Sequence, residues 1–210
     1  MSKVAKQHLP MKTRMNPSAR TSVKPYVTVV AVAILSALAY PACAQQKLVT
    51  AQSEIAFTSR QMGVPVDGKF KKFDAQVAFD PKKPEAAKIG FVIDLASISL
   101  GATESETEVA KADWFNTKQF PQATFQSASV KPAGAGKFDV TGKLVIKGAS
   151  HDVVVPVTLA QAGANTTASG TFVIKRLDFK IGDGDWKDTS MVANDVQVKF
   201  KLSLTGVSAL

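Results

Sequence analysis

The chain has 210 residues, a formal net charge of +9, one cysteine and two histidines. A single cysteine excludes a disulfide-stapled scaffold, and so few histidines leave little material for a zinc or histidine-based centre. Six of the 26 basic residues and none of the 17 acids lie in residues 1–44; residues 45–210 therefore carry 20 bases against 17 acids, a net +3, which is poor ground for nucleic-acid binding.

In chain order, the first element is a leader. Tyr26–Tyr40 is apolar and uncharged, basic residues without acids precede it, and Ala42-Cys43-Ala44 follows. Basic, apolar, then small is the plan of a secretory signal peptide. The apolar run is shorter than the ~20 residues a spanning helix needs. The pattern predicts export and cleavage after Ala44, so that residues 1–44 are signal peptide and residues 45–210 form one domain. The long basic stretch makes Met11 or Met15 a candidate start, and the alternative to cleavage after Ala44 is a lipoprotein modified at Cys43.

After the leader, period-two alternation dominates. Phe73, Ala75, Val77 and Phe79 form one apolar row, Ile89, Phe91, Ile93 and Leu95 another. Phe138, Val140, Gly142, Leu144 and Ile146 continue the pattern, as do Val153 to Leu159 and Val196 to Leu204. Such rows predict half-buried antiparallel strands with one wet face. Asp80-Pro81, Pro132-Ala133-Gly134, Gly148, Gly163 and Gly182-Asp183-Gly184 separate them as turns. The spacing predicts eight strands, near 48–59, 64–79, 87–99, 122–131, 136–147, 151–160, 167–176 and 192–205, the second bending at Gly68 or Lys71. Between the third and fourth, Thr103 and Glu106 make a T-x-x-E capping box and predict one short helix over 103–115. Strands of this number and spacing predict an all-β sandwich or barrel.

Polar constellations are sparse. His151 stands beside Asp152 at a predicted turn, and Ser150-His151-Asp152 is no triad, because neighbours in a strand face opposite ways. Asp183, Asp185 and Asp188 resemble a fragment of a calcium loop but lack its later bidentate Glu, and a solvated turn is the simpler reading. No metal-ligand set and no catalytic residue is assigned. Lys69, Lys71 and Lys72 surround Phe70 and Phe73; a solvated strand end and transient contact with a membrane surface are both compatible with this cluster. An eight-stranded barrel is wide enough to be filled by side chains or to hold one small ligand, and pattern alone leaves both open. Trp114 and Phe115 either anchor a lid or plug one end.

Several motifs recur in fixed order: Ser53-x-Ile55-x-Phe57, Gly68-Lys69-Phe70, Asp80-Pro81, Ser97-Ile98, Asp113-Trp114-Phe115, Phe120-Pro121, Phe125-x-Ser127, Gly142-x-Leu144-x-Ile146-x-Gly148 and Arg176-x-Asp178-Phe179. In these the chain resembles the YceI-like proteins, bacterial periplasmic polyisoprenoid-binding proteins. It departs at Arg60-Gln61-Met62-Gly63, where many members carry a histidine. The resemblance implies an all-β, eight-stranded antiparallel lipocalin-like β-barrel. It also implies a periplasmic location, a long isoprenoid or related lipid, quinone-like lipids included, as partner, no cofactor, and a homodimer. Under it, Phe57, Phe79, Phe91, Ile93, Phe125, Leu144, Phe172 and Phe200 are expected to line the cavity, with Trp114, Phe115 and Trp186 at its ends. Apolar contact suffices in principle, since each five-carbon unit removed from water contributes roughly 3–4 kcal/mol. Two other readings stay open: an interaction protein serving a membrane redox partner, and an enzyme acting on the lipid through Asp113, Asp178 or Arg176.

Overall fold

The computed structural model describes residues 46–210; the expected leader, its cleavage site and Cys43 lie outside the described residues. The elements are β1 (Lys47–Leu48), β2 (Glu54–Gln61), β3 (Val64–Phe70), β4 (Phe73–Ala78), β5 (Lys88–Asp94), β6 (Ile98–Ser99), α1 (Thr103–Val109), β7 (Gln122–Gly134), β8 (Lys137–Ile146), β9 (Ala149–Ala162), β10 (Asn165–Lys175) and β11 (Asp195–Thr205). All pairings are antiparallel, in one curled sheet of order β4-β5-β7-β8-β9-β10-β11-β2-β3-β6, with β1 added against β11.

The sheet path therefore holds ten strands where the sequence led us to expect eight. The difference has a steric origin. Phe70 and Phe73 both pack on the core but stand three residues apart, and a period-two strand cannot keep both on one face. The chain breaks at Lys71-Lys72, splitting the expected 64–79 strand into β3 and β4. Leu95 and Ile98, also three apart and both buried, force the same break in the 87–99 strand through a 3-10 turn at Leu95–Ser97. The two breaks sit side by side. The Lys71 N–H donates to Ser97 O at 3.0 Å, and the Asp94 N–H donates to Lys72 O at 3.0 Å. Since β4 continues β3 and β6 continues β5, the two ends of the sheet path meet at this seam. A 3-10 turn at Thr50–Gln52 likewise separates β1 from β2.

The helix is shorter than the expected 103–115. Thr103 is its first residue rather than its cap; Ala102 takes the cap position without a side-chain bond. Glu106 reaches back past it, accepting the Leu100 N–H on Oε1 at 3.0 Å. After Val109 the chain turns, with Phe115 N–H bonded to Val109 O and Asn116 in the left-handed conformation at φ 49°. Pro132 is not in a turn either. It lies in β7, where the register slips between Pro132 and Gly134, a place where the missing N–H is tolerated.

Inside the curl, inward residues form two connected clusters. One centres on Phe79, Phe138, Val140 and Leu204. The other centres on Leu95, Ile146, Phe179 and Ile181. Phe79 and Phe138 meet edge to face at 5.1 Å. Gln46 ties that end shut, its amide exchanging two hydrogen bonds with the Phe79 backbone.

Candidate functional site

Three glycines shape the interior. Gly68 pairs with Phe57 across β2 and β3, and Gly170 pairs with Phe200 across β10 and β11. A Cβ on Gly68 would stand 2.3 Å from the Phe57 ring, one on Gly170 2.5 Å from the Phe200 ring, and one on Gly142 2.5 Å from the Phe125 ring. These strands lack side chains where the rings lie, so the rings rest against the wall. Rings resting on the wall leave space along the axis.

That space forms two cavities. The inner one, of about 140 Å³, runs toward Phe79 and Phe138, and every residue lining it is apolar. The outer one, of about 280 Å³, lies toward α1 and includes Ser59, Gln61, Ser105, Glu108 and Arg176 among its lining residues. Ile55, Ile93, Leu144, Phe172 and Val198 line both, so the two abut across a shared apolar ring.

All eleven residues expected at the cavity or its ends line one or both spaces. Phe79, Phe91, Phe125 and Phe200 line the inner cavity. Ile93, Leu144 and Phe172 face both, and Phe57, Trp114, Phe115 and Trp186 line the outer one. Sequence reasoning missed many aliphatic partners, among them Val140, Val155, Leu159, Ala168 and Leu202. All but Ala168 stood in the alternating rows, where a short aliphatic side chain draws less notice than a phenylalanine.

The polar neighbours are buried cations. Arg176, 1% exposed, donates Nε to Ala193 O, Nη1 to Ile181 O and Gly182 O, and Nη2 to Trp186 O and Val192 O, at 2.6–3.1 Å. A guanidinium has five N–H donors, and here each meets a backbone carbonyl. Burial pushes the guanidinium pKa down, and Asp183 partly opposes this. Lys147, in the tight β8–β9 turn, is also buried. Its Nζ donates to Lys180 O at 2.6 Å and lies 3.8 Å from Asp183 Oδ2. Burial lowers its pKa too, with Asp183 and then Asp113 acting in opposition.

Among the described residues, no ion pair joins Arg176 to Asp113 or Asp178. Asp113 accepts the Gly182 and Asp183 N–H groups through its backbone oxygen, while the Asp178 carbonyl meets His151 Nε2 at 2.9 Å. His151 stands in β9 rather than at a turn, exposed, with its ring edge-on to Phe179 at 4.9 Å. Asp188 binds the Ser190 N–H and hydroxyl, while Asp183 faces Lys147. Among the described residues, no three His, Cys, Asp or Glu side chains come together as metal ligands. Lys69, Lys71 and Lys72 are all exposed.

Comparison with known proteins agrees with this architecture. Residues 46–204 match the YceI-like domain. A UPF0312 protein of Ectopseudomonas mendocina is 33% identical over 120 residues, 54% of this chain and 63% of that one. Protein YceI of Escherichia coli O6:H1 is 38% identical over 96 residues, 46% of this chain and 50% of the relative. The chain thus spans between half and just under two thirds of these curated relatives. Among solved structures, Burkholderia cenocepacia BcnA superposes with a TM-score of 0.73 at 50% identity, covering 75% of this chain and 99% of that one. A polyisoprenoid binding domain from Saccharophagus degradans, implicated in plant cell wall breakdown, shares the fold with a TM-score of 0.63 at 16% identity, over 77% and 98% of the two chains. With the family match spanning most of its length, the chain belongs to the YceI-like family.

Proposed function

We propose that this protein is a periplasmic carrier that encloses a polyisoprenoid or related amphiphilic lipid, such as a prenylated quinone, in a closed lipocalin-like barrel. The observation that carries the reading is the pair of abutting cavities, the inner one lined wholly by apolar side chains. Such a space has nothing to offer a polar molecule and gains from every methylene it removes from water. The description of the Saccharophagus domain as polyisoprenoid-binding points the same way. So does the spending of the Arg176 donors on carbonyls, which favours holding over chemistry. Exchange of the lipid at a membrane surface, and pairing into a homodimer, belong to this reading as its consequences for traffic.

The test is lipid extraction and native mass spectrometry of the exported protein, alongside an Ala168→Trp variant. Ala168 is buried on the wall of the inner cavity, so an indole there fills the space a tail would use. The wild type is expected to carry an isoprenoid lipid, and the variant to lose it while remaining folded. A wild type that neither carries such a lipid nor takes up a prenylated quinone would overturn the reading.

A further inference from the structure

The exposed apolar side chains of the described residues are not scattered evenly. The two most exposed large ones, Met62 at 66% and Val64 at 63%, stand together at the tip of the β2–β3 hairpin. Met191, also exposed, adjoins them, because its carbonyl accepts the Met62 N–H at 2.8 Å. The turn runs against its usual chemistry. Gln61 and Val64 pair around Met62 and Gly63, whose φ values are 48° and 81°, and a two-residue turn with positive φ at both positions favours Asn-Gly. Met62 therefore carries a backbone cost and a solvation cost at one place, where asparagine would carry less of either. The tip also borders the outer cavity. Ser59, Gln61 and Val66 line that cavity, and Gln61 pairs with Val64, so Val64 continues the cavity-facing row past its rim. Exposed Gln61 and, from α1, exposed Ser105 both line the cavity, which therefore reaches the surface between the hairpin tip and α1.

We infer that the patch of Met62, Val64 and Met191 seats in the headgroup and upper acyl layer of a lipid bilayer, so that the outer cavity meets the membrane where its lipid enters and leaves. This inference rests on the carrier reading and adds to it the face through which exchange occurs. Size favours a bilayer over a second copy of the chain. Three side chains present a few hundred Å² at most, well short of the ~800 Å² per partner that a stable dimer buries. A bilayer needs no such area, since each side chain gains by itself on entering the apolar boundary layer. Charge does not ask for anionic lipid. The exposed charges of the tip and the Trp186 segment, Arg60 and Lys187 against Asp185 and Asp188, balance, and α1 adds Glu104 and Glu108. The contact is therefore apolar, and a zwitterionic surface satisfies it.

The test uses Met62→Asn combined with Val64→Thr, which supplies the favoured turn residue and keeps a β-branched side chain in the strand, so the hairpin should fold as before. Val154→Thr, at an exposed position of β9, serves as control. Each protein is offered the same prenylated benzoquinone in two ways: from dilute detergent, and from vesicles of phosphatidylcholine and phosphatidylethanolamine. The double variant is expected to bind the quinone from detergent as the wild type does. From vesicles it should extract the quinone about tenfold more slowly, the scale of leaving two apolar side chains in water. The control should match the wild type in both arms, and added salt should leave extraction unchanged. Extraction by the double variant at the wild-type rate, equal weakening in both arms, the same loss in the control, or a steep fall with salt overturns the membrane face while leaving the carrier reading intact. So does a wild type that takes quinone from detergent alone. A double variant of lower mass than the wild type in sedimentation would assign the patch to a second copy, and overturns it too. Failure of the wild type to bind the quinone from either source overturns both.

Discussion

The two cavities abut, yet they are built by different means. The inner one is walled by strands alone, by alternation and by phenylalanine rings laid on glycines. The outer one is walled partly by strands and partly by α1, the turn around Trp114 and the Trp186 segment, pieces outside the sheet. Arg176 holds the Trp186 segment, its five bonds gathering the carbonyls of Ile181, Gly182, Trp186, Val192 and Ala193, and the Asp113 carbonyl ties that segment to the Trp114 turn through the Gly182 and Asp183 N–H groups. The difference teaches that a greasy interior walled by strands can be specified by periodicity, whereas a wall built of turns needs individual bonds from single residues.

Three experiments press on that contrast. The largest effect is expected from Arg176→Met, which strips the donors from carbonyls that are largely shut away from water. A loss of about 3–5 kcal/mol, read as a lower urea midpoint, is the scale for breaking such a buried charged network. Arg176→Lys should recover only part of it, because an ammonium cannot span the fork of carbonyls. An unchanged midpoint in the Met variant would mean that the 181–193 segment is held by something else.

Gly170→Ala attacks the inner wall instead. The new methyl would stand 2.1 Å from Pro156 O and 2.5 Å from the Phe200 ring, so backbone must move or the ring must swing into the cavity. Overpacking of this kind costs about 1–3 kcal/mol. Chemical denaturation would register it, and a displaced Phe200 ring should also reduce lipid uptake. Full stability with full uptake would show that the ring is not pinned.

The smallest effect concerns acid and the bond from α1 to Leu100. The Leu100 N–H bond, and to a lesser degree Ser99 and Lys71, hold the Glu106 carboxyl below the ordinary carboxylate range. A depressed folded-state pKa contributes its stabilisation above the unfolded value and loses it as pH falls through the folded one. Protection of the Leu100 amide from exchange should therefore fall as the solution is acidified below the ordinary carboxylate range. In Glu106→Gln that step should vanish. Protection that stays level in the wild type would refute the tie between α1 and the strand end.

Much of the inner cavity could be read directly from residues. Phe79, Phe91, Phe125 and Phe200 stand in period-two rows, and such a row with one wet face has its other face inside. The doubled strand breaks were legible in principle, since Phe70 to Phe73 and Leu95 to Ile98 are odd steps between apolar residues, but a row counted by composition hides its parity. The helix start at Thr103 was readable, but its end was placed too late: the chain turns after Val109, with the Phe115 N–H on Val109 O and Asn116 at positive φ, and no turn residue marks that exit before Asn116. The role of Arg176 was out of reach: its partners are backbone oxygens up to seventeen residues away, and sequence gives a carbonyl no identity.

The seam where β3 gives way to β4 beside the turn from β5 to β6 has a consequence for how this wall can change length. Each strand carries its own surplus at the same level, and the neighbouring backbone bonds across it. Deleting one residue from Lys71-Lys72 would bring Phe70 and Phe73 into phase but leave the facing turn out of step. Insertions and deletions there must come as matched pairs on both sides, like teeth added to two meshed gears.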